Sequence, residues 1–301
     1  MSESYTTFTV TVDGGDLHVG RWGRGERVVM ASHGITANHL SWQRVGELVV
    51  ERSDGAVSLV AVDHRGRAGS AGVTGPFGLA RHADDLMAVL DRVGADRAVF
   101  AGHSMGGFVV STAAERHSDR VLALVMVDGG LPFPLELPPD TDVEVVVQSV
   151  IGPALDRLDQ RWPDVESYVD FFVQHPSFQP PNVFPPAGRA YVAYDAVIDH
   201  DGQVRSSVSK AAVLEDGGAA IVDPDSARAI ERIAKHATIL WAPRGMLDQT
   251  PGLYPPAFIE AAAEALAHVR PAAVDDTNHY TILVGEHGAS AVADAILAAD
   301  R

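Results

Sequence analysis

The stretch that decides the fold is Ala98-Val99-Phe100-Ala101-Gly102-His103-Ser104-Met105-Gly106-Gly107-Phe108-Val109. Its first four residues make a short apolar run suited to a buried strand. From Phe108 to His117 the apolar positions recur at three- and four-residue steps, as on a packing helix. Between the two lies Gly-x-Ser-x-Gly. A strand-to-helix turn of that kind is tight, and glycines on both sides of the serine remove the Cβ atoms that would clash. Ser104 is therefore expected at the carboxyl edge of a sheet. There its hydroxyl meets the positive end of the following helix, and the Met105 amide is free for a developing oxyanion.

Outward from this turn, strand-length apolar runs alternate with helix-period segments, the pattern of a largely parallel α/β sheet covered by helices. The runs Val28 to Ser32, Val57 to Val62, Ala98 to Ala101, Val121 to Val127, Thr238 to Trp241 and Ala272 to Val274 read as six strands buried on both faces. Helices are expected at Ser41 to Arg52, Arg81 to Val93, Phe108 to His117, Ser226 to Lys235, Pro256 to His268 and Ala289 to Ala299. Thr6 to Val12 and Asp16 to Trp22 flank Gly14-Gly15 and read as an opening hairpin that adds an antiparallel edge, giving about eight strands.

One interval breaks the rhythm. The stretch between Asp128 and Thr238 is several times longer than the ~30 residues of a strand–helix–strand unit. It holds most of the chain's 18 prolines, from Pro132 to Pro186, and a run of rings between Trp162 and Tyr194. The expected organisation is a core from 1–130 and 226–301, with 131–225 inserted as a lid. Phe133, Phe171, Phe172 and Tyr191 are its candidate substrate-binding residues, since rigid rings bury large area on a ligand. The alternative for any one ring is that it packs the insert's own core.

Composition narrows the classes. Of 301 residues, 40 are acidic and 23 basic, a net charge of −17 that disfavours nucleic acid and anionic lipid as partners. There is no cysteine, which removes disulfides, thiol catalysis and cysteine-ligated metals. No phosphate-binding glycine loop and no His-Glu-x-x-His appears, so no metal or organic cofactor is expected. The chain starts without the basic and apolar signature of a signal peptide and has no long apolar span, which makes a cytoplasmic location the expectation.

A serine needs a base and a group that orients the base. His279, in Thr277-Asn278-His279-Tyr280-Thr281, follows the last strand and precedes the final helix, so it is the expected base. For the carboxylate, Asp248 follows the strand Thr238 to Trp241 and is the expected acid. Asp128, just after Val121 to Val127, is the rival position.

Together these elements resemble the α/β-hydrolase-fold serine hydrolases, over nearly the whole chain. The matching residues are His33-Gly34, Asp63-His64-Arg65-Gly66-Arg67-Ala68-Gly69-Ser70, the Ser104 turn, Asp248 and His279, in the order Ser, Asp, His. The resemblance implies an inserted helical cap and a second oxyanion donor at the amide of Ile35, beside Met105. Ala68 departs from the family's pattern, in which glycine is usual. His33 and His103 are expected to brace loops, and Asp63 and Arg65 to tie them.

The expected activity is hydrolysis of small to medium apolar carboxylic esters through an acyl-serine. Thioester, lactone and carbon–carbon bond hydrolysis use the same triad and stay open, as does a receptor-like member that binds a ligand with little turnover. Epoxide opening and halide displacement are disfavoured, because resembling enzymes for those reactions carry a carboxylate where Ser104 stands. Oligomeric state is left open.

Overall fold

The computed structural model describes residues 5–133 and 141–300; Met1 to Ser4 and, within the proline-rich stretch, Pro134, Pro138 and Pro139 lie outside them. Its main sheet has eight strands: β1 (Tyr5–Val12), β2 (Gly15–Trp22), β3 (Arg27–Ser32), β4 (Val57–Val62), β5 (Ala98–His103), β6 (Val121–Val127), β9 (Ala237–Trp241) and β10 (Val269–Ala273). They lie in the order β1-β2-β4-β3-β5-β6-β9-β10. The two pairings at the β1 end, β1 with β2 and β2 with β4, are antiparallel, and all others are parallel.

The alternation of side chains along each strand divides the core into two layers. Met30 and Phe100 enter one, with Leu17, Phe108 and Leu124; Val29 and Val99 enter the other, with Trp22, Trp42 and Val292. Helices α2 (Leu79–Arg92) and α3 (Met105–Arg116) cover the first layer, and α1 (Gln43–Arg52) and α12 (Glu286–Ala299) the second. Because both faces are covered, the central strands are apolar throughout, which is why they were readable as continuous runs.

Two expected elements come out differently. The last strand is Val269–Ala273 rather than Ala272 to Val274, and it is an edge strand whose residues after Val269 are exposed. An edge tolerates Pro271, which a central strand would not. The helix expected over Ser226 to Lys235 is two short ones, α8 (Pro224–Ala227) and α9 (Ala229–Arg232), separated at Arg228, whose φ of −102° and ψ of 17° depart from the helix.

Between β6 and β9 the chain leaves the main sheet. It forms α4 (Val143–Asp156), α5 (Val165–Val173), α6 (Gly188–Asp195), the short hairpin β7 (Ala196–Ile198) and β8 (Val204–Ser206), and α7 (Lys210–Gly217) before α8 and α9. These helical insertions are consistent with a cap. Asp142, Asp164 and Ser209 cap the amino ends of α4, α5 and α7 with their side-chain oxygens. Trp162, Tyr168, Val169, Val192 and Val204 form a small core of the insertion's own. Beyond β9 come α10 (Pro256–Ala265) and α11 (Thr281–Val284).

Candidate active site

In an open parallel sheet the carboxyl ends of the strands are where a site is built. The loops after β3, β4, β5, β6, β9 and β10 all emerge there, carrying Gly34, Asp63, Ser104, Asp128, Asp248 and His279 respectively. Ser104 sits at φ 55° and ψ −121°, a conformation seldom adopted by a residue with a Cβ. Its neighbours hold it there. A Cβ on Gly102 would lie 2.1 Å from the Gly106 carbonyl oxygen, and one on Gly106 would lie 2.1 Å from that of Ser32, so strand and helix approach as closely as backbone permits. The Ser104 amide donates to Val127 O at 3.0 Å, tying the turn to β6.

His279 Nε2 lies 3.1 Å from Ser104 Oγ, and His279 Nδ1 lies 2.7 Å from Asp128 Oδ2. A carboxylate only accepts, so Nδ1 carries the proton and Nε2 is left to accept from the serine hydroxyl. Asp128 is fully buried at φ 44°; its Oδ1 accepts from the Ala242 amide at 3.1 Å, and its own amide donates to Leu240 O at 2.7 Å. The neighbouring strand β9 thus fixes the carboxylate.

The expectation of Asp248 in this place is corrected. Asp248 closes a turn, its amide donating to Gly245 O, and its Oδ1 accepts from Asn182 Nδ2 at 2.9 Å and Asn278 Nδ2 at 2.8 Å. Arg244 Nε is 3.0 Å away, an ion pair too bent to be a hydrogen bond. Asp248 therefore joins the insertion to the loop that carries His279. Strand order explains the exchange: β6 lies directly beside β5, whereas β9 is one strand further out. The carboxylate leaving β6 is the nearer to the imidazole.

The two histidines flanking the turn act through backbone. His33 Nδ1 donates to Gly34 O at 2.7 Å, while its Nε2 accepts from the His64 amide at 3.0 Å, which fixes one neutral tautomer. Burial lowers its pKa to about 3. Because a peptide is planar and trans, holding Gly34 C=O toward His33 turns the Ile35 N–H the opposite way. That amide has no acceptor among the described residues, and the Met105 amide, first in α3, has no intrahelical one. His103 Nε2 donates to His279 O at 2.8 Å, and burial likewise lowers its pKa to about 3.

Asp63, fully buried, accepts from the His39 amide and ring, from the Gly69 amide and from Tyr194 in the insertion. Arg65 grips Asp85 with two nitrogens and two carbonyls, those of Asp13 and Thr74, with the third. Ala68, where glycine was the expected residue, has φ 41°.

A cavity of about 350 Å³ opens over Ser104 and His279. Phe171, Phe172 and Tyr191 line it, together with Phe178, Phe184 and Ile151. Phe133 instead stacks on Phe108 and Tyr254 and borders a smaller cavity, about 30 Å³, shared with Ile35, Ser104, Met105 and His279. Sequence reasoning missed Arg157, His175 and Tyr280 on the large cavity's wall; Tyr280, adjoining the expected base, had a positional signal, and the other two had none.

A family model described as the alpha/beta hydrolase fold matches residues 27–151. Joined to the strand order and the Ser104 turn, that decides the architecture. The fold is that of the α/β hydrolases. Among curated proteins, this α/β-hydrolase-fold chain is 35% identical over 102 residues to Epoxide hydrolase A of Mycobacterium tuberculosis, which is 33% of this chain and 31% of that one. It is 34% identical over 124 residues to a putative carbamate hydrolase, RutD, of Caulobacter segnis, 40% of this chain and 45% of the relative. Each alignment thus spans less than half of the curated relative. A thioesterase domain from the curacin biosynthetic pathway superposes with a TM-score of 0.70 at 18% identity, covering 98% of this chain and 100% of that one, which speaks for the fold alone. Over these segments the chain is similar to curated hydrolases.

Proposed function

We infer that the chain is a serine hydrolase of small to medium carboxylic esters, working through an acyl-Ser104 intermediate. The observation that carries this reading is the continuous chain of polar contacts from Ser104 Oγ through His279 to the buried Asp128. In the first step Ser104 Oγ attacks the ester carbonyl while His279 Nε2 takes its proton, and Asp128 stabilises the imidazolium that results. The Met105 and Ile35 amides are the donors proposed for the tetrahedral oxyanion. His279 then protonates the leaving alcohol, and afterwards takes a proton from the water that releases the acid.

Epoxide opening, the activity named for the Mycobacterium relative, is not proposed, because Ser104 stands at the nucleophile position. Between esters, thioesters, lactones and carbon–carbon bonds the triad does not choose; the ester is preferred because the mostly apolar cavity wall suits an aliphatic acyl chain. The test is Ser104→Ala against p-nitrophenyl butyrate. Turnover is expected to fall by at least ~10³ with the melting temperature little changed, and a fluorophosphonate probe is expected to label wild-type protein at Ser104 alone. Full activity in the variant would contradict the assignment.

A further inference from the structure

In a chain with 40 acidic residues, no aspartate or glutamate lines the large cavity, and Arg157 is its one formal cation among the described residues. Arg157 follows the last residue of α4 and is 4% exposed. A guanidinium has five N–H donors, and at such depth they are ordinarily matched. Here Nη1 alone is engaged, by the Tyr168 hydroxyl and by Asp195 Oδ2 at 3.2 Å. Nε and Nη2 have no partner among the described residues, and protein does not seal them off.

The buried ion pair with Asp195 engages only Nη1 of this cation. Asp195 spreads its charge over neutral donors, accepting from Tyr168 OH at 2.5 Å, Ser206 Oγ at 2.7 Å, and the Ser207 amide and hydroxyl at 3.2 and 2.6 Å. The guanidinium carbon lies 5.1 Å from the centroid of Phe172, a ring that walls the cavity. Tyr191 and Tyr280 line the same space, and neither hydroxyl has a partner among the described residues. Burial keeps both phenols protonated, hence donors, and lowers the His175 pKa so that this wall residue stays neutral.

We propose that Arg157, with the Tyr191 and Tyr280 hydroxyls, forms an anion subsite, and that the substrates are esters bearing a free carboxylate on the part held in the cavity, as in half-esters of dicarboxylic acids. This rests on the serine-hydrolase reading and narrows it: the middle of the substrate is apolar, its far end acidic. Water is consumed, the acyl C–O bond breaks, and the products are the alcohol, a dicarboxylate and a proton.

The experiment compares p-nitrophenyl hydrogen adipate with its neutral methyl ester, and measures adipate binding to Ser104→Ala protein by calorimetry. Wild-type kcat/KM is expected to favour the acid about tenfold or more, as a charge-assisted hydrogen bond permits. Arg157→Met should abolish that preference, mainly through KM. Because Arg157 also meets Asp195 and its loss could unfold the insertion, Arg157→Lys and the double variant Tyr191→Phe/Tyr280→Phe are measured beside it; both keep an aliphatic or aromatic body in place and should reduce the preference severalfold. Equal or faster hydrolysis of the neutral ester by wild type, or adipate binding that is absent or indifferent to Arg157→Lys, would overturn the subsite and leave Arg157 as a tie within the insertion. Arg157-dependent adipate binding with no turnover of either ester would instead sink the serine-hydrolase reading and keep the subsite.

Discussion

Replacing Asp128 by asparagine tests the site at its deepest point, and the structure sets the size of the effect. Asp128 Oδ1 accepts from the Ala242 amide, so an asparagine must keep its carbonyl oxygen there and place its NH₂ where Oδ2 now faces His279. That NH₂ cannot accept. His279 must then offer an unprotonated Nδ1 and carry its proton on Nε2, toward Ser104 Oγ, where it is useless as a base. The lost carboxylate charge adds a second penalty: for unit charges ~4 Å apart at an effective dielectric near 20 the interaction is about 4 kcal/mol, a factor of ~10³ in rate. With the wrong tautomer added, kcat on p-nitrophenyl butyrate should fall ~10³ to 10⁴-fold.

Asp248→Asn is the control. Its carboxylate is partly exposed and pairs with Arg244, so the ion pair is worth at most ~1 kcal/mol, and kcat should change less than ~tenfold. Steady-state kinetics on both variants, with thermal melts to show that each is folded, decide the matter. A loss of 10³ or more in Asp248→Asn together with near-normal Asp128→Asn would refute the reasoning and restore the acid to position 248.

Two further predictions concern stability. His33 and His103 have folded pKa values near 3 because they are buried, against ~6.5 in the unfolded chain; between those limits the unfolded state binds the protons that the native state excludes, so their contribution is complete above pH ~6.5 and is lost as pH falls toward 3, at up to ~1.4 kcal/mol per pH unit for each group. Urea midpoints should therefore drop steeply from pH 6.5 to 4.5, and an unchanged midpoint would contradict the neutral, buried assignment. Ala68→Gly relieves a residue at φ 41° and should raise stability by up to ~1 kcal/mol, a gain of about 2 °C in Tm, with kcat unaltered; a fall in Tm would show that the methyl group's packing outweighs its strain.

What was legible in the sequence divides along physical lines. Central strands buried on both faces must be apolar, so β3 to β6 were readable, and the Ser104 turn was readable because only glycine fits at 102 and 106. The edge strand β10 was misplaced because an exposed edge has no hydrophobic pattern to betray it. Ser226 to Lys235 carries helical spacing but breaks at Arg228, a failure no periodicity reveals. Among the rings of the insertion, Trp162 and Tyr168 went into its own core while Phe171, Phe172 and Tyr191 reached the cavity, a division set by tertiary packing rather than by residue type. Arg157 was invisible for the same reason: an arginine in a sequence shows nothing of whether its donors are matched.

Asp128, and not the expected Asp248, is the carboxylate in contact with the His279 ring. Asp128 and Asp248 both follow parallel strands, both have positive φ, and both lie within one contact of the His279 loop. Chain order does not separate them, since both fall between Ser104 and His279. Geometry ranks them by strand order instead. Since β6 adjoins β5, a carboxylate at its end meets the imidazole that faces Ser104, and the Ala242 amide, just after β9, holds it there. The aspartate after β9 is then free for a different task, and it takes one: with Asn182 and Asn278 it links the insertion to the segment bearing the imidazole. Asp248 therefore bears on the backbone next to the base, through Asn278, and not on the imidazole itself.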